Sequence, residues 1–233
     1  MKNNVVVEFN DLGYLIHSVS FPGAYVRGQT KHEAMSKFPI EIEMYCKWAS
    51  LHVPDNFETI IVQEKESDLN ICDADSDVIF DMERYPISGQ EYQILKQLCI
   101  KSAHDFLTMY ESIPNKNISS LDNRETFYGQ VPQTANEMYV HTNNVTSYYI
   151  GEIHIPIDNN GDILENRNNA LLAVETEEGF LTNQVHKGSY DEYWSLKKVL
   201  RRFIWHDRIH AKAMYRMATK IWDKGTIANP FFF

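Results

Sequence analysis

Residues 191–222 read DEYWSLKKVLRRFIWHDRIHAKAMYRMATKIW and form the longest helical pattern in the chain. Side chains suited to a core recur there at spacings of four and three, at Val199, Phe203, His206, His210, Ala213 and Met217. Residues at that spacing share one face of an α-helix, so this face is expected to pack against the protein interior. His206 and His210 therefore belong to the buried face of the predicted helix.

Three earlier segments also have helical spacing of their apolar residues. They cover residues 88–114, where Pro114 ends the pattern, then about 134–152 and about 164–183. Four helices with one apolar face each pack most simply as a bundle. The pattern therefore predicts an all-α four-helix bundle over residues 88–233.

The N-terminal part of the chain has a strand-like pattern instead. Three short apolar segments, separated by turn-forming residues, read VVVEF (5–9), YLIHSV (14–19) and AYVRG (24–28). Thr30, with Glu33 three residues later, matches a capping box that opens a helix towards Trp48. Because ETIIVQEK (58–65) offers a fourth strand, residues 1–65 are predicted to form an α+β module of three strands, a helix and a strand.

Between these two parts the chain becomes strongly acidic. Residues 64–83 contain eight carboxylates and one lysine, and such a segment buries little apolar area. We therefore expect residues 66–87 to be a solvated linker between two domains. The aspartates do not form an EF-hand calcium loop, because Val78 and Arg84 stand where that loop needs Gly and Glu.

The composition disfavours several classes of function. Acidic residues outnumber Lys and Arg by 32 to 22, and a net charge of -10 argues against nucleic-acid binding, so a small-molecule substrate is expected. Cys46, Cys72 and Cys99 form no CxxC pair, which indicates no disulfide framework and fits the reducing cytosol. No apolar leader and no run of eighteen apolar residues occur, which predicts a cytoplasmic protein without a membrane partner.

Three histidines are candidates for one metal site. His206 and His210 are one helical turn apart, so their imidazoles point towards the same place. His141 occupies an inward position on the second predicted helix. Neutral imidazoles bind divalent zinc, nickel or iron, and three of them leave coordination positions open, as catalytic sites do. Tyr148, two turns from His141, is the candidate catalytic proton donor.

The same residues also have a purely structural interpretation. Histidines four residues apart occur without a metal, and aromatic residues of helices are more often core residues than ligand contacts. Asp207, Glu137 and Glu152 are candidates to orient the ligands, although a salt bridge of Asp207 with Arg208 or Arg202 is equally compatible with the sequence. The remaining histidines are assigned to surface or packing positions, namely His17, His32, His52, His104, His154 and His186.

Two segments, TANEMYVHTNNVTSYYIGEI (134–153) and KKVLRRFIWHDRIHAKAMYR (197–216), resemble the DinB-like (YfiT-like) metalloenzyme superfamily. The resemblance spans about residues 88–223. It implies a four-helix bundle whose divalent metal is held by His141, His206 and His210, a homodimer, and thiol-dependent transfer with bacillithiol, mycothiol or glutathione. The chain departs from commoner members in its long connection at 118–132 and in Ala211 and Lys212, where many members have Gly and Gln.

The segment SFPGAYVRGQTKHEAM (20–35) resembles the HicB-like fold. The residues that carry this resemblance are Pro22, Gly23, Gly28, Thr30, Glu33 and Ala34. It implies a dimerisation or partner-docking module. An antitoxin-type regulator would need a basic DNA-binding element, which the sequence does not supply.

Two functions are compatible with the sequence. The first is a metal-dependent enzyme, a thiol transferase or a hydrolase, in which the metal lowers the pKa of a thiol or water. The second is a non-enzymatic binding or regulatory protein whose N-terminal module docks a partner. The sequence identifies neither the metal nor the substrate. The last residues, NPFFF (229–233), are expected to pack against the helices or another subunit, because an exposed apolar tail is unfavourable.

Overall fold

The computed structural model of the chain describes residues 2–126 and 129–233, and the side chains of Cys72 and Thr126 lie outside this description. The strands are β1 (Lys2–Asn10), β2 (Gly13–Ser18), β3 (Tyr25–Gly28), β4 (Glu58–Glu66), β5 (Glu125–Thr126), β6 (Gly129–Gln130), β7 (His186–Lys187) and β8 (Tyr193–Trp194). The helices are α1 (Lys31–Ser36), α2 (Phe38–Trp48), α3 (Gly89–Ser112), α4 (Ala135–Gly151), α5 (Ile163–Thr176) and α6 (Leu196–Ala218). Within the described ranges, no helix is both long and apolar enough to cross a membrane.

The four N-terminal strands form one mixed sheet in the order β3-β2-β1-β4. β1 and β2 are antiparallel, with Val7 opposite Ile16, and β4 returns parallel to β1 after α1 and α2. The turn between β1 and β2 requires glycine at Gly13. Its φ is +148°, and a Cβ there would lie 2.8 Å from the carbonyl oxygen of Gly28.

The predicted helix from Thr30 to Trp48 is two helices in the structure. Thr30 caps α1, and its hydroxyl accepts a hydrogen bond from the Glu33 amide at 3.1 Å. α2 begins directly after Lys37, with Pro39 in its first turn. Proline has no amide hydrogen and its ring clashes with the preceding turn, so one continuous helix through this position is disfavoured.

One hydrophobic core extends through the sheet and the helices. Val5 of β1, Trp48 of α2, Phe106 of α3 and Phe203 of α6 are all buried within it. α6 packs against α3 and α4, and also against the turn at Asp81–Arg84 that precedes α3. Because α6 is enclosed on several sides, its side chains are buried around most of its circumference.

The prediction of an all-α four-helix bundle over residues 88–233 is wrong, and the fold is α+β. This region contains two further small antiparallel sheets, β5–β6 and β7–β8. Its helices are unequal, with 24 residues in α3 and 14 in α5, which ends at Thr176 and not near residue 183. Helical spacing identifies a buried face but not the element that covers it. Here α2 and the chain before α3 also cover α6.

Residues 66–87 are packed against the sheet and α6, which corrects the prediction of a solvated linker. Ile71 is 0% exposed, and Phe80 is 2% exposed and packs with Val6 of β1. Glu83 is buried in an ion pair with Arg201 of α6. The acidic residues alternate with apolar ones in this segment, so apolar side chains reach the core although the segment as a whole is highly charged.

Five charged side chains of α6 are buried, and each has a partner outside the helix. The pairs are Lys198 with Glu192, Arg201 with Glu83, Arg202 with the carbonyl oxygen of Ser76, Asp207 with Arg167, and Arg208 with Glu41. Buried charges are stable only when they are paired and hydrogen-bonded. These contacts therefore fix how α6 sits against the rest of the chain.

The pair between Arg167 of α5 and Asp207 is the most deeply buried of these, since both side chains are 0% exposed. Two guanidinium nitrogens donate to the two carboxylate oxygens, at 3.0 and 3.1 Å, and the Ser102 hydroxyl of α3 donates to the same carboxylate. Burial raises the pKa of the Asp207 carboxyl, and the charge of Arg167 opposes that rise. One carboxylate thus connects three helices.

The expected packing of the C-terminal residues is confirmed. Phe231 is 0% exposed, and its ring stacks on Trp48 of α2 with centroids 5.6 Å apart. Phe233 stacks on Phe231 at 5.4 Å. The Arg208 guanidinium lies 5.9 Å from the Phe231 ring and 5.5 Å from the Phe233 ring, so the tail covers a buried charge of α6 as well as an apolar surface.

Arg167→Met is expected to lower the free energy of unfolding by about 3–5 kcal/mol, because it leaves the Asp207 carboxylate buried without its counter-charge. Urea denaturation of the full chain measures this. Arg167→Met combined with Asp207→Leu is expected to recover most of the loss, since both charges are then absent.

Lys47→Met is the matched control, because Lys47 and Glu43 form an exposed i,i+4 pair on α2. Lys47→Met is expected to lower the free energy of unfolding by less than about 1 kcal/mol. Equal losses for Arg167→Met and Lys47→Met would contradict the role of the buried pair.

Candidate metal centre

α4 and α6 bring the three predicted histidines together. α4 begins at a capping box, in which the Glu137 amide donates to the Thr134 hydroxyl and the Thr134 amide donates to the Glu137 carboxylate. The two helices pack against each other, and His141 of α4 faces both His206 and His210 of α6. The i,i+4 spacing in α6 places the last two side chains one turn apart on the same face.

The distances within this cluster are those of a small coordination site. One ligand nitrogen of each histidine lies within 4.8 Å of the others, and Nε2 of His141 is 3.2 Å from Nε2 of His206. In a tetrahedral zinc site with bonds of 2.0–2.1 Å, ligand nitrogens lie about 3.3 Å apart. His141 and His206 therefore already have the separation of two ligands, and His210 is within a small side-chain movement of it.

All three imidazoles are uncharged at neutral pH. Burial lowers the pKa of His210 to about 3, and it also lowers the pKa of His141. The pKa of His206 lies well below its usual value of 6.5, and burial is the main cause. Positive charge on His210, His141 or Arg202 would also repel a proton on His206 and so lowers its pKa further. Neutral imidazole is the form that binds a metal ion.

The hydrogen bonding of His206 is incomplete. A 3.2 Å contact between two neutral imidazole nitrogens is a hydrogen bond, so one Nε2 of the His141–His206 pair carries the hydrogen and the other accepts it. Nδ1 of His206 is buried and has no partner among the described residues. An unpaired buried nitrogen costs free energy, so this cluster is not optimised as a self-contained hydrogen-bonded core.

The cluster opens to solvent on one side. His206 is 8% exposed, whereas the side chain of His141 is exposed and that of His210 is partly buried. His141 of α4 and His210 of α6 therefore give the cluster contact with solvent.

Tyr148, the predicted proton donor, has no ring contact with the three histidines among the described residues. It shares the face of His141 but is two turns, about 10 Å, further along α4. Among the described residues its ring contacts are Tyr149 at 5.6 Å and Trp194 at 6.2 Å, and its side chain is 39% exposed. Tyr149 is the tyrosine whose ring meets His206, with centroids 5.9 Å apart.

None of the three acidic candidates hydrogen-bonds a histidine in the described structure. Glu137 belongs to the cap of α4, and Glu152 accepts a hydrogen bond from the Ser189 amide at 2.7 Å. The partner of Asp207 is Arg167, and not Arg208 or Arg202. Asp207 and His206 are adjacent in sequence and so point about 100° apart around the helix, which directs the carboxylate towards α5.

Two charged neighbours of the cluster were not predicted from the sequence. Arg202 lies one turn before His206 on the same side of α6, and its guanidinium is 5.3 Å from the Tyr149 ring. Its i−4 spacing from His206 is a signal that could have identified it. Arg167 gave no such signal, because it stands among polar residues of a weak helical pattern.

The other histidines occupy separate places. His17 is 2% exposed in the sheet and contacts the Glu8 carboxylate at 3.0 Å. His154 and His186 form a ring contact with centroids 4.8 Å apart, and the His104 side chain on α3 is 61% exposed. The three-histidine cluster is the only group of possible metal ligands found among the described residues.

Fold and site together define an α+β protein with a solvent-accessible cluster of three neutral histidines. No model of a known protein family matches the chain, and no curated protein and no solved structure matches it either.

The metal-free protein is expected to lose stability as the pH falls through the range set by His210. Its pKa is about 3 in the folded protein and 6.5 without burial, so the unfolded chain binds a proton first. The contribution of neutral His210 to the free energy of unfolding is therefore fully present above pH 6.5, and it is lost as the pH falls towards 3. Between pH 8 and pH 5 the free energy of unfolding of wild type is expected to fall by about 2 kcal/mol more than that of His210→Gln.

Urea denaturation in the presence of a chelator measures both pH profiles. His32→Gln removes an exposed histidine of α1 and is expected to follow wild type. Parallel profiles for wild type and His210→Gln would show that His210 is not buried in its neutral form.

Proposed function

We propose that the protein is an enzyme that depends on a divalent metal ion bound by His141, His206 and His210. The observation that carries this proposal is the gathering of three uncharged imidazole nitrogens within 4.8 Å on one solvent-accessible side of α4 and α6. No carboxylate or thiol belongs to the group, and all-imidazole sites suit zinc, nickel or iron.

The burial of the cluster supports a metal more than a purely structural role. The contact between His141 and His206 satisfies one nitrogen of each ring, and no hydrogen bond joins His210 to either of them in the described structure. A core of the same size made from apolar side chains would avoid the cost of burying imidazole nitrogens. A cation that uses several of the nitrogen lone pairs explains why three imidazoles are held together here.

The proposed chemistry is thiol-dependent transfer on a small molecule. A divalent ion held by three neutral ligands acts as a Lewis acid and lowers the pKa of a bound water or thiol. Arg202 places a positive charge near His206 and so favours an anionic fourth ligand, such as a thiolate, over a neutral one. The resemblance to the DinB-like superfamily suggests bacillithiol, mycothiol or glutathione as the thiol.

Tyr148 is the proposed proton donor for this reaction. Burial and the nearby carboxylates of Glu152 and Glu192 raise the pKa of its hydroxyl, so it carries its proton at neutral pH. Its side chain is partly exposed on the same face of α4 as His141, which gives a substrate access to it. The proposal also places the protein in the reducing cytosol, where the buried thiols of Cys46 and Cys99 stay free.

The purified 233-residue chain is expected to bind one divalent ion. His206→Ala is expected to lower the affinity more than about tenfold, since even residues that only orient ligands change it by 10–100-fold. Dialysis against zinc, nickel and iron followed by elemental analysis measures this. His104→Ala removes an exposed histidine of α3 and serves as the control. Equal metal content in wild type and His206→Ala would contradict the proposal.

Cobalt-substituted protein tests the thiol directly. Glutathione is expected to produce a sulfur-to-cobalt charge-transfer band, because a thiolate would enter an open coordination position. S-Methylglutathione has no ionisable thiol and is expected to produce none. The band is expected to persist in Tyr148→Phe, whose defect would appear only in turnover.

Metal binding without such a band would contradict the thiol chemistry. It would leave a metal-dependent hydrolase, and the alternative in which the protein is a non-enzymatic binding or regulatory protein.

A further inference from the structure

A cleft lies between the edge strand β3, helices α1 and α2 and the C-terminal part of α6. Its volume is about 550 Å³, and the charged side chains that line it are Arg27, Glu33, Lys37, Glu41, Lys212 and Arg216. The residues that line it do not include the three histidines. A cleft of this size accommodates a small organic molecule.

The charges of the cleft are unbalanced. Apart from Arg27, three of the lining side chains are cations and two are carboxylates, and a further cation, Arg208, contacts the lining residue Glu41, in a protein whose net charge is -10. Lys37 and Glu33 form an ion pair at 2.7 Å and neutralise each other. The remaining carboxylate, Glu41, faces more than one cation.

Glu41 is shared between two cations of α6. Its carboxylate accepts from Nη2 of Arg208 at 2.8 Å and from Nζ of Lys212 at 3.3 Å. Arg208 is 0% exposed, and its Nε and Nη1 have no hydrogen-bond partner among the described residues. A single carboxylate cannot neutralise both, so these three side chains leave one positive charge at this side of the cleft.

Lys212 is the cation of this group that a ligand in the cleft can contact. Its contact with Glu41 is the longer of the two, and its side chain is 21% exposed. Arg216, one turn further along α6, is exposed and lines the same cleft. The two side chains are four residues apart and so lie on the same face of the helix.

The cleft also offers surface for an organic group. Tyr14, Tyr25, Ile40 and Met44 line it, and Ile40 is 63% exposed. An apolar side chain exposed to that degree beside a cationic wall suits a ligand with one anionic end and one apolar or aromatic end.

We propose that this cleft binds a small organic phosphate, with the phosphate group on Lys212 and Arg216 and the organic group against Tyr14 and Ile40. The excess of more than one positive charge favours a dianion over a monoanion such as a carboxylate. This site is separate from the proposed metal function and does not depend on it.

Calorimetric titration of the full chain with phenyl phosphate tests the proposal, in a chelator so that no metal ion contributes. Binding is expected to be tighter for phenyl phosphate than for inorganic phosphate or benzoate, and to weaken with added salt. Arg216→Glu changes an exposed side chain without disturbing the core and is expected to lower the affinity at least tenfold. Lys212→Met is expected to act in the same direction.

The controls are Lys220→Met, which removes an exposed lysine after α6, and His206→Ala; both are expected to bind as wild type does. No detectable binding of phenyl phosphate would overturn the proposal, and so would unchanged affinity in Arg216→Glu. Equal affinity for benzoate would show that the cleft does not select a dianion.

Discussion

The structure depends on the pairing of the charges that α6 buries. Lys198, Arg201, Arg202, Asp207 and Arg208 are all enclosed, and each would carry a large desolvation penalty without its partner. Their partners come from α2, from α5, from the segment before α3 and from the segment before α6. Because these pairs are directional, they determine the rotation of α6 about its axis as well as its position, which apolar contacts alone would leave less well defined.

That rotation decides which side chains meet at the histidine cluster. With Asp207 directed towards Arg167 of α5, the neighbouring His206 is directed towards α4 and meets His141. With Arg208 directed towards α2, His210 lies on the same side as His206. The ion pairs therefore explain how three imidazoles that gain little from one another are held together at the surface of the core, and the proposed metal site relies on this arrangement.

The sequence was informative where a short local pattern determines the result. The spacing of His206 and His210 and the stripe that contains His141 predicted that the three side chains would meet, and they do, although His141 is exposed and not buried in the interior as predicted. The strands of the sheet were recognisable from their apolar segments. Their role as metal ligands stays a prediction. Contacts between distant residues were not readable: nothing local indicates that Arg167 pairs with Asp207. The prediction for the acidic segment at 66–87 was wrong because its overall composition does not show that its apolar residues are buried. The prediction of a bundle was wrong because helical spacing shows which face of a helix is buried but not which element covers that face.

The central claim is that the three histidines bind one metal ion. Anomalous diffraction from crystals of the metal-loaded full chain, collected on both sides of the absorption edge of the added metal, tests it most directly. One peak is expected about 2.0–2.1 Å from a nitrogen of each of His141, His206 and His210. A structure in which the metal lies elsewhere, or in which these three side chains keep their hydrogen-bonded contact with no peak between them, would contradict it.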